Sequence, residues 1–348
     1  MRLKYYKNLD GIRAFAAIIV MFFHFFQSVQ IDSNSLVNVL KKISVFGQTG
    51  VDLFFVLSGF LITRILINSK SSPHFFKNFI FRRIVRIFPL YYLFLFLYFF
   101  IAPILLNTQF IPINEQWFYY VYLQNIGATF NWNLNGPEHF WSLAVEEHFY
   151  LFWPFLIYFF NQKRIKYLIA IIVVGTIFLR YLMIRNNLGV FYFTFTRIDA
   201  LAIGAGLSLL ELNFVFQKKN KNKFLILLLI LVVPMVVFWI KLSGSGSLEV
   251  IKYSLLALFY FALIGYVLCL SPNNFVNTIL ESKLLNFSGK ISYGLYVYHP
   301  LVFLLVFKYY DFLNWKLQLM LSFTITYLVA IFSYYLFENQ FLKLKKYF

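Results

Sequence analysis

The chain has 348 residues, of which 61% are hydrophobic, 22% are aromatic and only 13% are charged, and its formal net charge is +18. A water-soluble domain normally carries about a quarter charged residues, so this composition excludes an ordinary soluble fold. Apolar runs near the ~20 residues that a bilayer requires recur from end to end. We therefore predict an all-α, polytopic transmembrane helix bundle.

Ten spans are predicted from these runs. Their approximate ranges are 11–31, 46–67, 88–106, 139–160, 166–184, 192–211, 224–240, 250–270, 290–307 and 317–337. Most Lys and Arg lie in the two tails and in the loops that follow even-numbered spans, and such residues concentrate on the cytoplasmic side of membrane proteins. We expect both termini in the cytoplasm. The same rule explains the positive charge without a nucleic-acid partner.

The first span carries Arg13 and His24, eleven residues apart. At 100° per residue, eleven steps come within about 20° of three full turns, so the two side chains share one helix face about 16 Å apart. Arg13 lies at cytoplasmic depth and suits an anionic group. His24 lies near or past mid-membrane, where an imidazole can exchange protons. The alternative for His24 is a hydrogen-bonded packing histidine.

The second span has one acid, Asp52, near its outer end. The first two spans are joined by a short loop and run antiparallel, so Asp52 can lie at the depth of His24. It would then fix the tautomer of His24, as the carboxylate does in hydrolase triads. The alternative is a carboxylate that complements the dipole of its own helix.

Two arginines, Arg83 and Arg86, precede the third span and are three residues apart, so they share a helix face. Guanidinium groups bind phosphates with paired hydrogen bonds, which favours a site for a nucleotide diphosphate at the inner surface. An anchor for anionic lipids is equally compatible with this spacing.

The longest outer segment, 107–138, is rich in Asn, Trp and Tyr and contains no Lys or Arg. Aromatic residues are enriched where a membrane meets water, so the segment could be an interfacial belt. It could also form a floor on which a sugar stacks.

The fourth span opens with several titratable residues, which are Glu138, His139, Glu146, Glu147 and His148. Adjacent helical positions point about 100° apart, so we expect at most one of Glu146 and Glu147 to face a polar site. The segment has no H-E-x-x-H pattern, and no metal is expected.

Polar residues of the later spans are interpreted as structural. We expect Arg197 to pair with Asp199 or with an acid of the fourth span, and Gly204 with Gly206 to allow close helix approach. His299, before a proline, is expected to be structural. The single cysteine, in an apolar run, excludes a disulfide framework.

Six segments, in this order, resemble membrane-bound acyltransferase family 3, the bacterial integral-membrane O-acyltransferases that act on surface glycans. They read LDGIRAFAAIIVMFFH, GVDLFFVLSGFLIT, RRIVRIFPLYY, HFWSLAVEEHFYLFWP, TRIDALAIGAGL and GKISYGLYVYHP. The resemblance implies that His24 is essential to acyl transfer and that Arg13, Arg83 and Arg86 engage the coenzyme A donor. It also matches Glu146 and Glu147 to a family pattern.

Residues and resemblance together predict an O-acyltransferase of the bacterial cytoplasmic (inner) membrane. It would move an acyl group, expected to be acetyl, from cytoplasmic acyl-CoA to a hydroxyl of a glycan or lipid-linked saccharide. We assign His24 as base or acyl carrier, Asp52 as its orienting group, and Glu146 and Glu147 to the catalytic site. Acyl-CoA is a substrate, and no cofactor is expected to stay bound.

We expect residues 1–348 to form a single membrane-embedded domain, surrounded by lipid and without the SGNH-type hydrolase domain of some relatives. The alternative function is a non-catalytic transporter or flippase of a lipid-linked saccharide, and a third is a structural or signalling bundle. A transporter would be expected to contain inverted repeats with broken helices. We find none in the sequence.

Overall fold

The computed structural model describes residues 4–29, 35–240 and 246–348, and within these ranges the chain is helical without any β-strand. The α-helices are α1 Lys7–Ser28, α2 Ser35–Ser44, α3 Gly50–Ser69, α4 Phe75–Phe96, α5 Ala102–Leu106, α6 Ile113–Tyr120, α7 Gln124–Thr129, α8 Trp141–Phe159, α9 Gln162–Arg185, α10 Ile198–Leu212, α11 Lys221–Ile240, α12 Gly246–Leu268, α13 Phe275–Leu280, α14 Lys283–Lys290, α15 Ser292–Tyr309, α16 Trp315–Phe332 and α17 Asn339–Leu342. Short 3₁₀ or π segments join several of them, including Val45–Thr49 before α3, Leu97–Ile101 after α4 and Ser333–Glu338 after α16.

Seven helices in the described residues are long and apolar enough to cross a membrane. They are Lys7–Ser28, Leu36–Ser69, Phe75–Leu106, Gln162–Arg185, Lys218–Val237, Leu248–Leu268 and Trp315–Tyr347. An eighth span results if α14 and α15, which meet at 73°, are counted together. The predicted spans 139–160 and 192–211 correspond to α8 and α10, which are outside this set. An integral membrane protein is therefore supported, whereas the count of ten spans and the orientation of the termini stay predictions.

One predicted boundary is wrong in a way that matters for the site. The third span was predicted to begin at residue 88, but its helix begins at Phe75 and continues through Pro89. Helices in membrane proteins tolerate proline where neighbouring groups satisfy the freed carbonyl. Arg83 and Arg86 consequently lie inside a long helix and face the bundle.

The tightest helix contact joins α3 and α10 at the centre of the bundle. A Cβ atom added to Gly59 would lie 1.9 Å from the Leu201 carbonyl oxygen, and one added to Gly204 would lie 2.1 Å from that of Val56. Only glycine allows the two backbones to approach so closely. The expectation for Gly204 is confirmed, whereas Gly206 has only an ordinary side-chain neighbour.

Candidate active site

A cavity of about 120 Å³ lies where α1, α3, α4, α8 and α15 meet, and we call it the arginine cavity. Arg13 of α1 and Arg83 and Arg86 of α4 all line it. The structure therefore brings together the three arginines that the sequence singled out. Helical spacing places Arg83 and Arg86 on one face of α4, and the packing of α4 near α1 adds Arg13.

Only one of the three arginines of the arginine cavity forms an ion pair among the described residues. Arg13 forms an ion pair with Asp10 at 3.1 Å. Neither Arg83 nor Arg86 is ion-paired with a carboxylate in the described part of the chain. The Nε atom of Arg83 is buried without a hydrogen-bond partner. Burying such a donor costs free energy unless an anion or a water molecule accepts its hydrogen bond, so the cavity suits an anionic ligand.

Both glutamates of α8 line the same cavity, which corrects the expectation that only one of them would do so. Glu146 accepts hydrogen bonds from Ser58 at 2.8 Å and from Tyr150 at 2.7 Å. Glu147 Oε1 is buried without a partner. Two side chains about 100° apart can share one cavity because α8 contacts both α3 and α4, and the cavity lies among these helices.

His24 lines a second cavity, of about 460 Å³, which we call the histidine cavity. Its Nδ1 lies 2.9 Å from Nε2 of His299 on α15, and Nδ1 of His299 lies 3.0 Å from the Leu295 carbonyl oxygen. A carbonyl can only accept, so His299 Nδ1 carries a proton and its Nε2 accepts from His24 Nδ1. This relay leaves Nε2 of neutral His24 unprotonated and able to take a proton.

His299 was expected to be structural, and no sequence pattern pairs it with His24, which lies 275 positions away. The ring of a third histidine, His139, lies 5.5 Å from that of His299, measured between centroids. Within the described residues, no group of three His, Cys, Asp or Glu side chains could hold a metal ion. His24 and His299 therefore form a hydrogen-bonded pair, and the His139 ring lies beside it.

The expected contact between Asp52 and His24 is not found among the described residues. Asp52 forms an ion pair with Arg197 at 2.7 Å, and both side chains are buried. Asp199, the partner that we expected for Arg197, is instead paired with Arg180 at 2.7 Å. A buried charge that loses its partner is strongly destabilising, so each member of these two pairs depends on the other, and the pairs link α3, α9 and α10. The side chain that contacts the His24 imidazole through a hydrogen bond is His299.

The two cavities are adjacent members of a longer series. Tyr296 lines both the arginine cavity and the histidine cavity, and stands between them. Its hydroxyl lies 2.6 Å from Ser142 Oγ and donates to the His139 carbonyl oxygen at 2.7 Å. These bonds hold the Tyr296 side chain in place between the two cavities, both of which Val51 also lines.

Two further cavities extend the series at its ends. One, which we call the terminal cavity, is lined by residues near both chain ends and shares Arg13, Arg86 and Tyr293 with the arginine cavity. The other lies at the opposite end of the series. We call it the amide cavity, and it is lined mainly by residues of 107–138, including Gln124, Trp132 and Asn135. The residues that it shares with the histidine cavity are Gly136, Glu138, Trp141 and Tyr192. From the terminal cavity to the histidine cavity, the series follows α1 from its first turns to its last.

Fold and site together define a polytopic helical membrane protein with an arginine-lined cavity beside a histidine pair. A family model described as an acyltransferase domain matches residues 6–338, and the chain belongs to this acyltransferase family. The resemblance drawn from the six sequence segments is therefore confirmed.

Two curated relatives have related names. The chain is similar to the peptidoglycan O-acetyltransferase OatA of Listeria monocytogenes, at 34% identity over 187 residues that cover 49% of this chain and 27% of the relative. It is also similar to the O-acetyltransferase OatA of Staphylococcus aureus, at 26% identity over 332 residues that cover 88% of this chain and 52% of the relative. The chain spans about half, or less, of the length of these relatives. No solved structure matches it significantly.

Proposed function

We propose that the protein is a membrane O-acyltransferase that moves an acyl group, with acetyl expected, from cytoplasmic acyl-CoA to a hydroxyl of an exported glycan. The observation that carries this proposal is the series of cavities from three arginines to the His24–His299 pair. Family membership supports acyl transfer. The names of the two relatives support acetyl as the group and peptidoglycan as one possible acceptor.

The donor occupies the arginine end in this proposal. Its phosphates bind Arg13 and Arg86, which line both the terminal and the arginine cavities. Arg83 donates a hydrogen bond to the same phosphates from its Nε–H, for which the described residues provide no partner. Glu147, whose Oε1 has no partner, is suited to accept from an amide N–H of the pantetheine arm. The thioester then extends past Tyr296 to the histidine cavity, a length of about 16 Å along α1.

His24 acts as the general base. Its Nε2 takes the proton of the acceptor hydroxyl while the hydroxyl oxygen attacks the thioester carbonyl, so a C–O bond forms and the C–S bond breaks. The departing thiolate of coenzyme A then receives the proton. General base catalysis of this kind contributes typically 10²–10⁴-fold. The close alternative is transfer of the acyl group to His24 itself before it reaches the acceptor.

The test is consumption of labelled acetyl-CoA by the purified protein. Wild type should release free coenzyme A, and His24→Gln, which cannot take the proton, should lower turnover at least 100-fold without changing acetyl-CoA binding. His148→Gln is the matched control, because His148 bonds Thr194 and lines none of the four cavities. Absence of acetyl-CoA turnover by wild type would favour a transporter or flippase.

A further inference from the structure

The amide cavity has the chemistry of a carbohydrate site, and its volume of about 320 Å³ is in the range of small-molecule sites. Its walls combine aromatic rings with amides. Trp132 and Tyr119 come from the segment 107–138, and Trp141 begins α8. The C–H face of a sugar ring packs on such rings, and its hydroxyls bond amides and carboxylates.

One buried group of this cavity lacks the partner that a sugar could supply. Gln124 is 3% exposed, and its Nε2 donates to the Phe140 carbonyl at 2.9 Å and to Tyr91 Oη at 3.2 Å. Its Oε1 accepts no hydrogen bond. An unpaired acceptor at this depth costs free energy that a ligand O–H or N–H would recover.

The charge at this end restricts the ligand. Among the described residues, no Lys or Arg lines either the amide cavity or the histidine cavity, whereas Glu138 lines both. An anionic sugar would therefore meet an acid and no cation. The arginine cavity differs in that three arginines line it beside Glu146 and Glu147, and these arginines suit the phosphates of the donor.

We propose that the amide cavity binds a neutral, hydroxyl- and amide-bearing sugar of the acceptor, next to the sugar that meets His24. This inference rests on the proposed function, because it makes the occupant of the amide cavity part of the glycan that is acylated. Gly136, Glu138, Trp141 and Tyr192 line both cavities, so one oligosaccharide can occupy the two together. Anionic polymers such as uronic acid chains are excluded as acceptors.

The test is calorimetric titration of the detergent-solubilised full chain with a neutral N-acetylhexosamine tetrasaccharide and with a uronic acid tetrasaccharide. The neutral sugar should bind and the acid should not. Trp132→Ala should weaken binding roughly 3- to 10-fold, the range for loss of one aromatic stacking partner. Trp117→Ala is the matched control, because Trp117 is 44% exposed, Trp132 is 41% exposed, and only Trp132 lines the cavity. The control should stay within twofold of wild type.

A second pair of variants separates binding from folding of the segment. Asn133 and Asn135 both donate to Glu115, but only Asn135 lines the amide cavity. Asn135→Ala should therefore weaken sugar binding more than Asn133→Ala. Equal effects within either pair, binding of the acidic sugar, or no binding of the neutral one would overturn the proposal. The titration uses no acetyl-CoA, so it tests the sugar site independently of acyl transfer. Sugar binding without acetyl-CoA turnover would contradict the proposed function but not the sugar site.

Discussion

The proton on His24 is placed by a neighbour that no local sequence pattern indicates. The Leu295 carbonyl fixes the proton of His299, and His299, together with a backbone hydrogen bond of His24 to Val20, fixes that of His24. Helical spacing alone was sufficient to place Arg13 and His24 on one face of α1. The partner of His24 could not be found in the same way, because it is set by the packing of α15 against α1, which brings together residues that are far apart in the chain.

His299 should act as a positioning residue. His299→Ala removes the acceptor for His24 Nδ1, so we expect kcat to fall roughly 10- to 100-fold while acetyl-CoA binding stays within twofold. His299→Gln can still accept this bond through its amide oxygen and should recover part of the loss. Turnover and donor affinity are measured on the same purified samples. A purely structural role for His299 would instead lower both quantities together, or leave the two variants equal.

The arginines allow a test between donor binding and lipid anchoring. An ammonium group cannot reproduce the paired bonds of a guanidinium, so Arg86→Lys should weaken coenzyme A binding by roughly 10- to 150-fold, corresponding to ~1.5–3 kcal/mol. Arg82→Lys is the control, because Arg82 is exposed and outside the arginine cavity. Pantetheine without the nucleotide phosphates should bind both variants as it binds wild type. A lipid anchor would tolerate lysine at both positions.

The ion pairs of α3, α9 and α10 depend on helix packing that the sequence alone does not reveal. Asp52 and Arg197 are each visible as charges in apolar runs, but their pairing depends on the contact between α3 and α10 that Gly59 and Gly204 permit. Charge and depth alone left His24 as an equally reasonable partner for Asp52. The seven candidate spans in the described residues were each predicted from hydropathy, whereas the early start of α4 was hidden by the polar residues of its first turns.

Asp52 should therefore matter for stability. Asp52→Asn leaves the buried guanidinium of Arg197 without its carboxylate, and loss of one partner of a buried pair costs about 3–5 kcal/mol. We expect a clear drop in the thermal unfolding midpoint in detergent. The double variant Asp52→Asn/Arg197→Gln removes both charges and should recover part of the loss. If Asp52→Asn unfolded like wild type but lost turnover, the earlier role for Asp52 beside His24 would be restored.

At the scale of the whole molecule, Val51 and Tyr296 line both the arginine cavity and the histidine cavity, and we expect the larger side chain, Tyr296, to be the partition between them. Tyr296→Ala joins the arginine and histidine cavities, so water should reach the thioester more readily and hydrolysis of acetyl-CoA without acceptor should rise. Tyr296→Phe keeps the ring and loses only the bonds to Ser142 and the His139 carbonyl, so it should resemble wild type more closely. The ratio of hydrolysis to transfer measures the difference. A ratio that is equal in the two variants would remove Tyr296 as the partition.

In the proposed function, donor and acceptor meet from opposite ends of the series of cavities. This is tested by reconstituting the protein in vesicles, with its orientation established by labelling, and adding labelled acetyl-CoA on one side and a neutral oligosaccharide on the other. We predict acetylated sugar only when acetyl-CoA faces the arginine end and the sugar faces the segment 107–138, with no product from His24→Gln. Product formed equally well with both substrates on the arginine side would contradict transfer through the bundle.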